Sequence, residues 1–321
     1  MNAVEQSVPV SRAVDPELSF SEEFRSYWHR VSDKGLFLGL LGAWCLLFHV
    51  FGTSSFNFST TTSSLFQWMY NAWNAPMLDS SQGNLIPFVV VILLWVKRRE
   101  LADSITGWWW PGLAPVGLAL VLHIVGFLAQ QPRLSMVGLF FGIYSLTGLV
   151  WGWKTMKAGF FPFMLFAFCM PFGTFVENVT LPLRLFATKS TYLICNGALG
   201  IPVWQHGTEL YDKTGTINFD VAPACSGIRS FVALLAVTTV FSMLAFQRIW
   251  KRGLIIALTV PLVVTFNIIR LVAIILATQS INKQAGLFVH EWFGFFTYMM
   301  AIACLMAVAH WMRDKPLTAT A

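Results

Sequence analysis

Long apolar segments dominate this chain, and they fix its environment before any single residue is considered. We predict eight membrane spans, at about residues 35–51, 84–96, 111–129, 134–153, 159–175, 225–246, 254–278 and 290–311. Several of these runs reach the roughly 20 residues that an α-helix needs to cross a bilayer. Only 11% of the 321 residues are charged, whereas a soluble domain carries about twice that fraction. The sequence therefore predicts an all-α polytopic membrane protein.

The basic residues predict how the chain is oriented. Lys and Arg cluster before the first predicted span and after the second, fourth, sixth and last spans, in residues 12–34, 97–99, 154–157, 248–252 and 313–315. Residues 52–83, between the first two spans, contain neither. Because cytoplasmic loops carry the excess of Lys and Arg, both termini are expected in the cytoplasm. The basic residues are scattered rather than gathered in one patch, which gives no support to nucleic-acid binding.

Three parts follow from this topology. We predict a cytoplasmic N-terminal tail (1–34), a single membrane-embedded domain (35–312) and a cytoplasmic C-terminal tail (313–321). The long connection 176–224 before the sixth span is then extracytoplasmic. Its first part has the apolar spacing of an amphipathic interfacial helix. Its second part has two short β-like runs around "DKTG" at 212–215, which indicates a small β-hairpin.

Polar residues near the outer ends of three predicted spans are the candidates for chemistry. Cys225 opens the sixth span, Arg270 lies in the outer third of the seventh, and His290 opens the eighth. Charged residues inside a span are costly and by default mark function. A helix N-terminus and nearby cations lower the pKa of a thiol, so Cys225 fits a thiolate nucleophile. His290 fits a proton carrier, and Arg270 fits a stabiliser of the oxyanion in acyl transfer.

Neighbouring positions support this set. Asn267 precedes Arg270 by three residues and therefore shares its helix face. Arg229 lies one turn into the sixth span, on the face of the candidate nucleophile. Gly227 and Gly294 lack a side chain, so they would let a substrate backbone approach closely.

Each candidate also has an ordinary explanation. A cysteine at a helix end is usually a small buried residue, and Arg229 at a span end commonly extends to the interface. Arg270 serves equally well as an interhelical hydrogen-bond donor, and His290 is common at an interface. Only the three candidates together favour a cysteine acyl-transfer site. No paired His, Cys or carboxylate spacing indicates a metal site, we expect no cofactor, and a disulfide between Cys195 and Cys225 stays open.

Three sequence blocks carry a family resemblance. "APACSGIRSF", "FNIIRLVAI" and "HEWFGF" resemble, in order and spacing, the signature blocks of the exosortase/archaeosortase family of membrane-embedded transpeptidases. The resemblance covers about residues 84–311 and is most specific over 221–295. It implies that Cys225 is the nucleophile, Arg270 the family's arginine and His290 the third catalytic position, where histidine favours the bacterial exosortase branch. The motif neighbours, with less defined roles, are Ser226, Gly227, Arg229, Asn267 and Gly294.

The resemblance also implies a function. It indicates a cysteine peptidase/transpeptidase, a hydrolase of the bacterial inner membrane with its site at the periplasmic face. Such enzymes cut C-terminal sorting signals of PEP-CTERM type from exported proteins through a thioester, and they often accompany exopolysaccharide gene clusters. The implied partners are these substrate proteins and membrane lipids, while the acceptor nucleophile and the oligomeric state are left open.

Two other classes of function stay open. A membrane acyltransferase would use the same cysteine and histidine chemistry on a thioester or a phospholipid. A transport or polysaccharide-export component would need polar sites at the bilayer midplane or broken helices related by internal repeats. The sequence shows neither, and its polar groups cluster at one face.

Overall fold

The computed structural model describes residues 19–53, 63–75, 81–171, 174–211, 218–220, 228–246 and 248–312. These residues are largely helical, and they hold twelve α-helices and one small sheet. The helices are α1 (Phe20–Arg30), α2 (Lys34–Val50), α3 (Leu65–Asn74), α4 (Ile86–Val96), α5 (Arg98–Asp103), α6 (Leu113–Leu128), α7 (Pro132–Trp151), α8 (Trp153–Met164), α9 (Thr174–Leu193), α10 (Ile228–Ala245), α11 (Ile249–Ser280) and α12 (Lys283–Trp311).

Two apolar cores organise the helices. The first joins α2, α3, α4, α6 and α7, and it includes the buried side chains of Phe48, Val90 and Leu139. The second joins α10, α11 and α12 through Leu234, Ile255 and other apolar side chains. The last three helices therefore pack as one unit, and this unit holds the candidate site.

The small sheet lies in the connection before α10. Its strands are β1 (Trp204–His206), β2 (Glu209–Tyr211) and β3 (Asn218–Asp220), antiparallel and in that spatial order. The sequence predicts two runs around "DKTG", whereas the structure adds β1, which pairs with β2 across a turn whose Gly207 has a φ of 60°. The "DKTG" residues lie outside the described part of the chain. Leu210 of β2 packs in a cluster with Leu271 of α11, which places the sheet beside the C-terminal half of that helix.

Most of each predicted span is helical where it is described, but the helices differ from the predicted spans in length. Within the described part of the chain, four segments are long and apolar enough to cross a membrane, namely Trp110–Leu128, Pro132–Trp151, Ile249–Ser280 and Lys283–Trp311. A fifth results if α1 and α2, which meet at 92°, form one bent span. The predicted span 159–175 is interrupted, because α8 ends at Met164 and a 3₁₀ turn follows. Pro162 and Pro171 lack the N–H that a continuous helix needs. Eight crossings stay a prediction.

The last two helices extend beyond the predicted spans 254–278 and 290–311. α11 runs over Ile249–Ser280 and α12 over Lys283–Trp311. α12 begins early because the side-chain oxygen of Asn282 accepts a hydrogen bond of 2.8 Å from the backbone N–H of Ala285, which caps the helix. His290 therefore lies about two turns inside α12 rather than at its start.

The segment predicted as a polar N-terminal tail contains α1. Ser19 and Glu22 form a capping box at the start of this helix. The ring of Phe20 contacts Trp95 of α4 with centroids 5.0 Å apart, and Arg98 of α5 forms an ion pair with Glu23. These contacts hold α1 against the basic end of α4.

Candidate functional site

A hydrogen bond between neighbouring helices brings two of the predicted site residues together. Nη2 of Arg270 on α11 donates to the backbone carbonyl oxygen of His290 on α12, at 2.8 Å. The bond goes to the main chain and does not involve the imidazole. Arg270 is therefore fixed to α12 by a group that any residue at position 290 would supply.

The backbone of α12 makes room for the guanidinium at Gly294. A Cβ built at this position would lie 3.1 Å from Cζ and 3.2 Å from Nη2 of Arg270. Contacts this short are tighter than ordinary van der Waals contacts, so a side chain here would displace the guanidinium. We expected Gly294 to admit a substrate backbone, but in this structure its space is taken by Arg270. The glycine is needed because the arginine lies flat against the helix.

Asn267 completes a small cavity beside Arg270. The Asn267 side chain is only 8% exposed and lies one turn before Arg270 on α11. The cavity measures about 30 Å³, enough for roughly two water molecules. All three helices of the second core line it, including Leu234 of α10 and Gly294 of α12. A polar pocket therefore lies where α10, α11 and α12 meet.

Two further lining residues were missed by the sequence reasoning. Thr297 and Tyr298 follow Gly294 by three and four residues, and both line the cavity. The hydroxyl of Thr297 donates to the carbonyl oxygen of Phe293 at 2.9 Å, as threonine commonly does in helices. The spacing from Gly294 was a usable signal, because residues three and four positions apart share a helix face.

A second cavity continues from the first on the other side of Asn267. It measures about 20 Å³ and is lined by Thr180 and Arg184 of α9, Phe231 of α10 and Asn267 itself. The sequence predicts α9 as an interfacial helix, whereas the structure packs it against α11. Ala187, at 1% exposure, belongs to the packed face. Arg184 and Asn267 therefore line the same cavity, next to the candidate site.

Part of the predicted site lies outside the described residues. This applies to Cys225, Ser226, Gly227 and the side chain of Arg229, whose backbone stands in the first turn of α10. In sequence, residues 221–227 connect β3 to α10. Both of these elements are described. β3 belongs to the sheet that packs beside α11, and α10 packs with α11 and α12, so both lie near the helix that carries Arg270.

These features define a class of protein: a polytopic helical membrane protein with a polar cavity between its last three helices. A model of the transmembrane exosortase family matches residues 73–307, which is more than half of the chain and includes every predicted site residue. The chain belongs to the transmembrane exosortase family. Membership supports a membrane-bound sorting enzyme of the transpeptidase type. No curated protein matches the chain, and neither does any solved structure.

Gly294→Ala tests whether the close packing of Arg270 serves function rather than stability. Alanine is favoured over glycine in a helix by about 1 kcal/mol, so the melting temperature should not fall. Because the family resemblance implies a catalytic role for Arg270, displacement of its guanidinium is nevertheless expected to slow substrate cleavage about tenfold, since small misplacements of a catalytic group are costly. The control is Gly253→Ala in α11, where a Cβ meets nothing within 4 Å. Wild-type cleavage by both variants would show that Gly294 has no part in positioning Arg270.

Proposed function

We propose that this exosortase is a cysteine transpeptidase that removes the C-terminal sorting signal of exported proteins and transfers them to an acceptor. The observation that carries the proposal is the contact between Arg270 and His290 beside a polar cavity, inside the region matched by the family. The third wall of that cavity is α10, the helix that follows Cys225 in sequence. Cys225 and its neighbours at 226 and 227 lie outside the described part, so their place in the proposal rests on the sequence motif alone.

The proposed reaction has two acyl-transfer steps. The thiolate of Cys225 attacks the scissile carbonyl carbon, a C–S bond forms, and the C–N bond of the peptide breaks. The departing amine takes a proton from His290, which had received the thiol proton. An acceptor nucleophile then attacks the thioester, gives its proton to His290, and releases Cys225. The acceptor is an amine, a lipid hydroxyl or water.

Arg270 is proposed to stabilise the negative charge on the carbonyl oxygen. A guanidinium has five N–H donors in a rigid fork. One Nη2 hydrogen of Arg270 anchors the group to the His290 carbonyl, and Arg270 also lines the cavity. A preoriented cation in a site that holds little water stabilises a developing oxyanion strongly. The contact to the main chain supplies that preorientation.

The proposed topology has eight crossings, with both termini in the cytoplasm of a bacterial cell and the site at the periplasmic face. It divides the chain into the tails 1–34 and 313–321 and the membrane domain 35–312. The support is the gathering of basic residues at one end of the helices, as the positive-inside rule requires. The sheet and Arg270 then share the opposite face, where a PEP-type signal of an exported protein would arrive.

Trapping the intermediate tests the proposal directly. Purified full-length protein is mixed with a substrate that carries a motif, an apolar helix and a basic tail, and the reaction is quenched in acid. The Cys225 peptide should gain the mass of the substrate portion that precedes the cleavage site, and hydroxylamine should remove it. A fatty-acyl mass would instead identify an acyltransferase. Cleavage without any adduct on Cys225 would contradict the thioester mechanism.

A further inference from the structure

A third cavity, a mostly apolar cleft with two cationic side chains, lies at the basic end of the helices, away from Arg270. It measures about 70 Å³, more than twice the volume of the cavity beside Arg270. Two cationic side chains line it, Lys97 at the end of α4 and Arg252 in the first turn of α11. The rest of the lining is apolar: Leu93, Phe161, Pro162, Leu165, Val240, Met243 and Leu244.

The hydrogen bonds of Arg252 leave donors for a ligand. Nε donates to the carbonyl oxygen of Phe246 at 2.7 Å, and Nη1 contacts the sulfur of Met243 at 4.0 Å. The guanidinium stands over the ring of Phe161, 5.7 Å from its centroid. Among the described residues no carboxylate lies within ion-pair distance of Arg252. Among the described residues Nη2 of this half-buried guanidinium makes no hydrogen bond, so it keeps two N–H donors for an anion.

Lys97 adds a second charge at the same cleft. Its ammonium donates to the carbonyl oxygen of Ala158 at 3.2 Å and pairs with Glu100 at 3.0 Å. Glu100 lies on the protein surface, with 57% of its side chain exposed, so this ion pair is weak and a ligand can replace it. Lys97 therefore keeps a positive charge and one further N–H for a ligand.

We propose that this cleft binds the phosphodiester headgroup of an anionic phospholipid from the adjacent leaflet. Basic pockets between membrane helices on the cytoplasmic side recognise such headgroups, and a guanidinium N–H makes a short charge-assisted hydrogen bond to a phosphate oxygen. The apolar lining would contact the acyl chain of the lipid. Leu244 is 60% exposed, so the cleft opens toward the lipid-facing surface of the helices. A substrate's basic tail has the wrong charge for Lys97 and Arg252.

Native mass spectrometry of the full-length protein tests the proposal. The protein is purified and exposed to mixed micelles that contain either phosphatidylglycerol or phosphatidylcholine with identical acyl chains. Phosphatidylglycerol should be retained preferentially. Removal of one charge by Arg252→Gln or Lys97→Gln should lower this retention about fivefold each. Arg252→Lys, which keeps the charge, should retain most of it.

A matched control and a second test variant keep the result decisive. Arg248→Gln removes an equal charge from the exposed N-cap of α11 and should leave retention unchanged. Lys97→Gln removes one hydrogen bond to Ala158 and a weak ion pair with Glu100, so it remains informative if Arg252→Gln does not fold. Equal retention of both lipids, or unchanged retention in both glutamine variants, would overturn the proposal.

Discussion

Replacing Cys225 with alanine is expected to abolish cleavage of the sorting signal, by at least about 10³-fold, because nothing else in the proposed mechanism supplies the nucleophile. The protein should still fold and insert, since the change removes a single sulfur atom. The measurement is the size of a co-expressed substrate on an immunoblot, in cells that lack a second enzyme of this type. Shortened substrate in the Cys225→Ala cell would refute the proposed chemistry.

Cys195→Ala is the matched control for this experiment. Cys195 is a buried free thiol that lies, like Cys225, in the C-terminal half of the chain. Burial raises the pKa of its thiol to about 11. Below that pH the group is a neutral thiol, so at pH 7 to 8 only about one molecule in a thousand or fewer carries the reactive thiolate. The Cys195→Ala enzyme should therefore process substrate at the wild-type rate.

Arg270→Lys is expected to lower cleavage about 10²- to 10³-fold, although the positive charge is kept. Arginine can anchor to the His290 carbonyl through Nη2 and still direct other N–H groups at an oxyanion. Lysine has one compact ammonium and cannot hold that planar geometry. The single-turnover rate of cleavage measures the effect, with the thermal melting temperature recorded for each variant.

Arg248→Lys controls for a general effect of exchanging arginine in α11. Arg248 is the exposed N-cap residue of the helix, far from the cavity, so its exchange should be silent. His290→Ala gives a further check. It removes the proposed proton carrier but keeps the carbonyl that anchors Arg270, so it should lose activity without loss of stability. Normal processing by Arg270→Lys would leave Arg270 with a structural role only.

The sequence was sufficient for the helical membrane class and for the proximity of Arg270 and His290. Both follow from hydropathy and from counting residues along consecutive spans, because a crossing helix rises by a fixed amount per residue. The sequence did not predict which atoms form the hydrogen bond between them. Its acceptor is a backbone carbonyl, which every residue carries and no sequence motif marks.

The ends of helices and their packing partners were harder to predict from the sequence. Hydropathy follows apolar side chains, so it ended α11 at residue 278 and began α12 at 290, while hydrogen bonding and the Asn282 cap carry both helices further. The amphipathic pattern of α9 was assigned to the membrane interface. The same pattern fits packing against α11, and an apolar face alone does not say whether lipid or protein covers it.

The length of α11 ties the site to the thickness of the bilayer. Its 32 residues span about 48 Å at 1.5 Å per residue. The hydrocarbon layer is only about 30 Å thick and helices tilt by at most about 40°, so part of the helix stands outside that layer. Arg270 lies about 32 Å from Ile249 along the axis, one hydrocarbon thickness from the basic end. With the basic end of α11 held at one surface, a thicker membrane is expected to draw the guanidinium into the acyl chains and raise the cost of keeping it charged, so we expect the rate of cleavage to depend on lipid chain length.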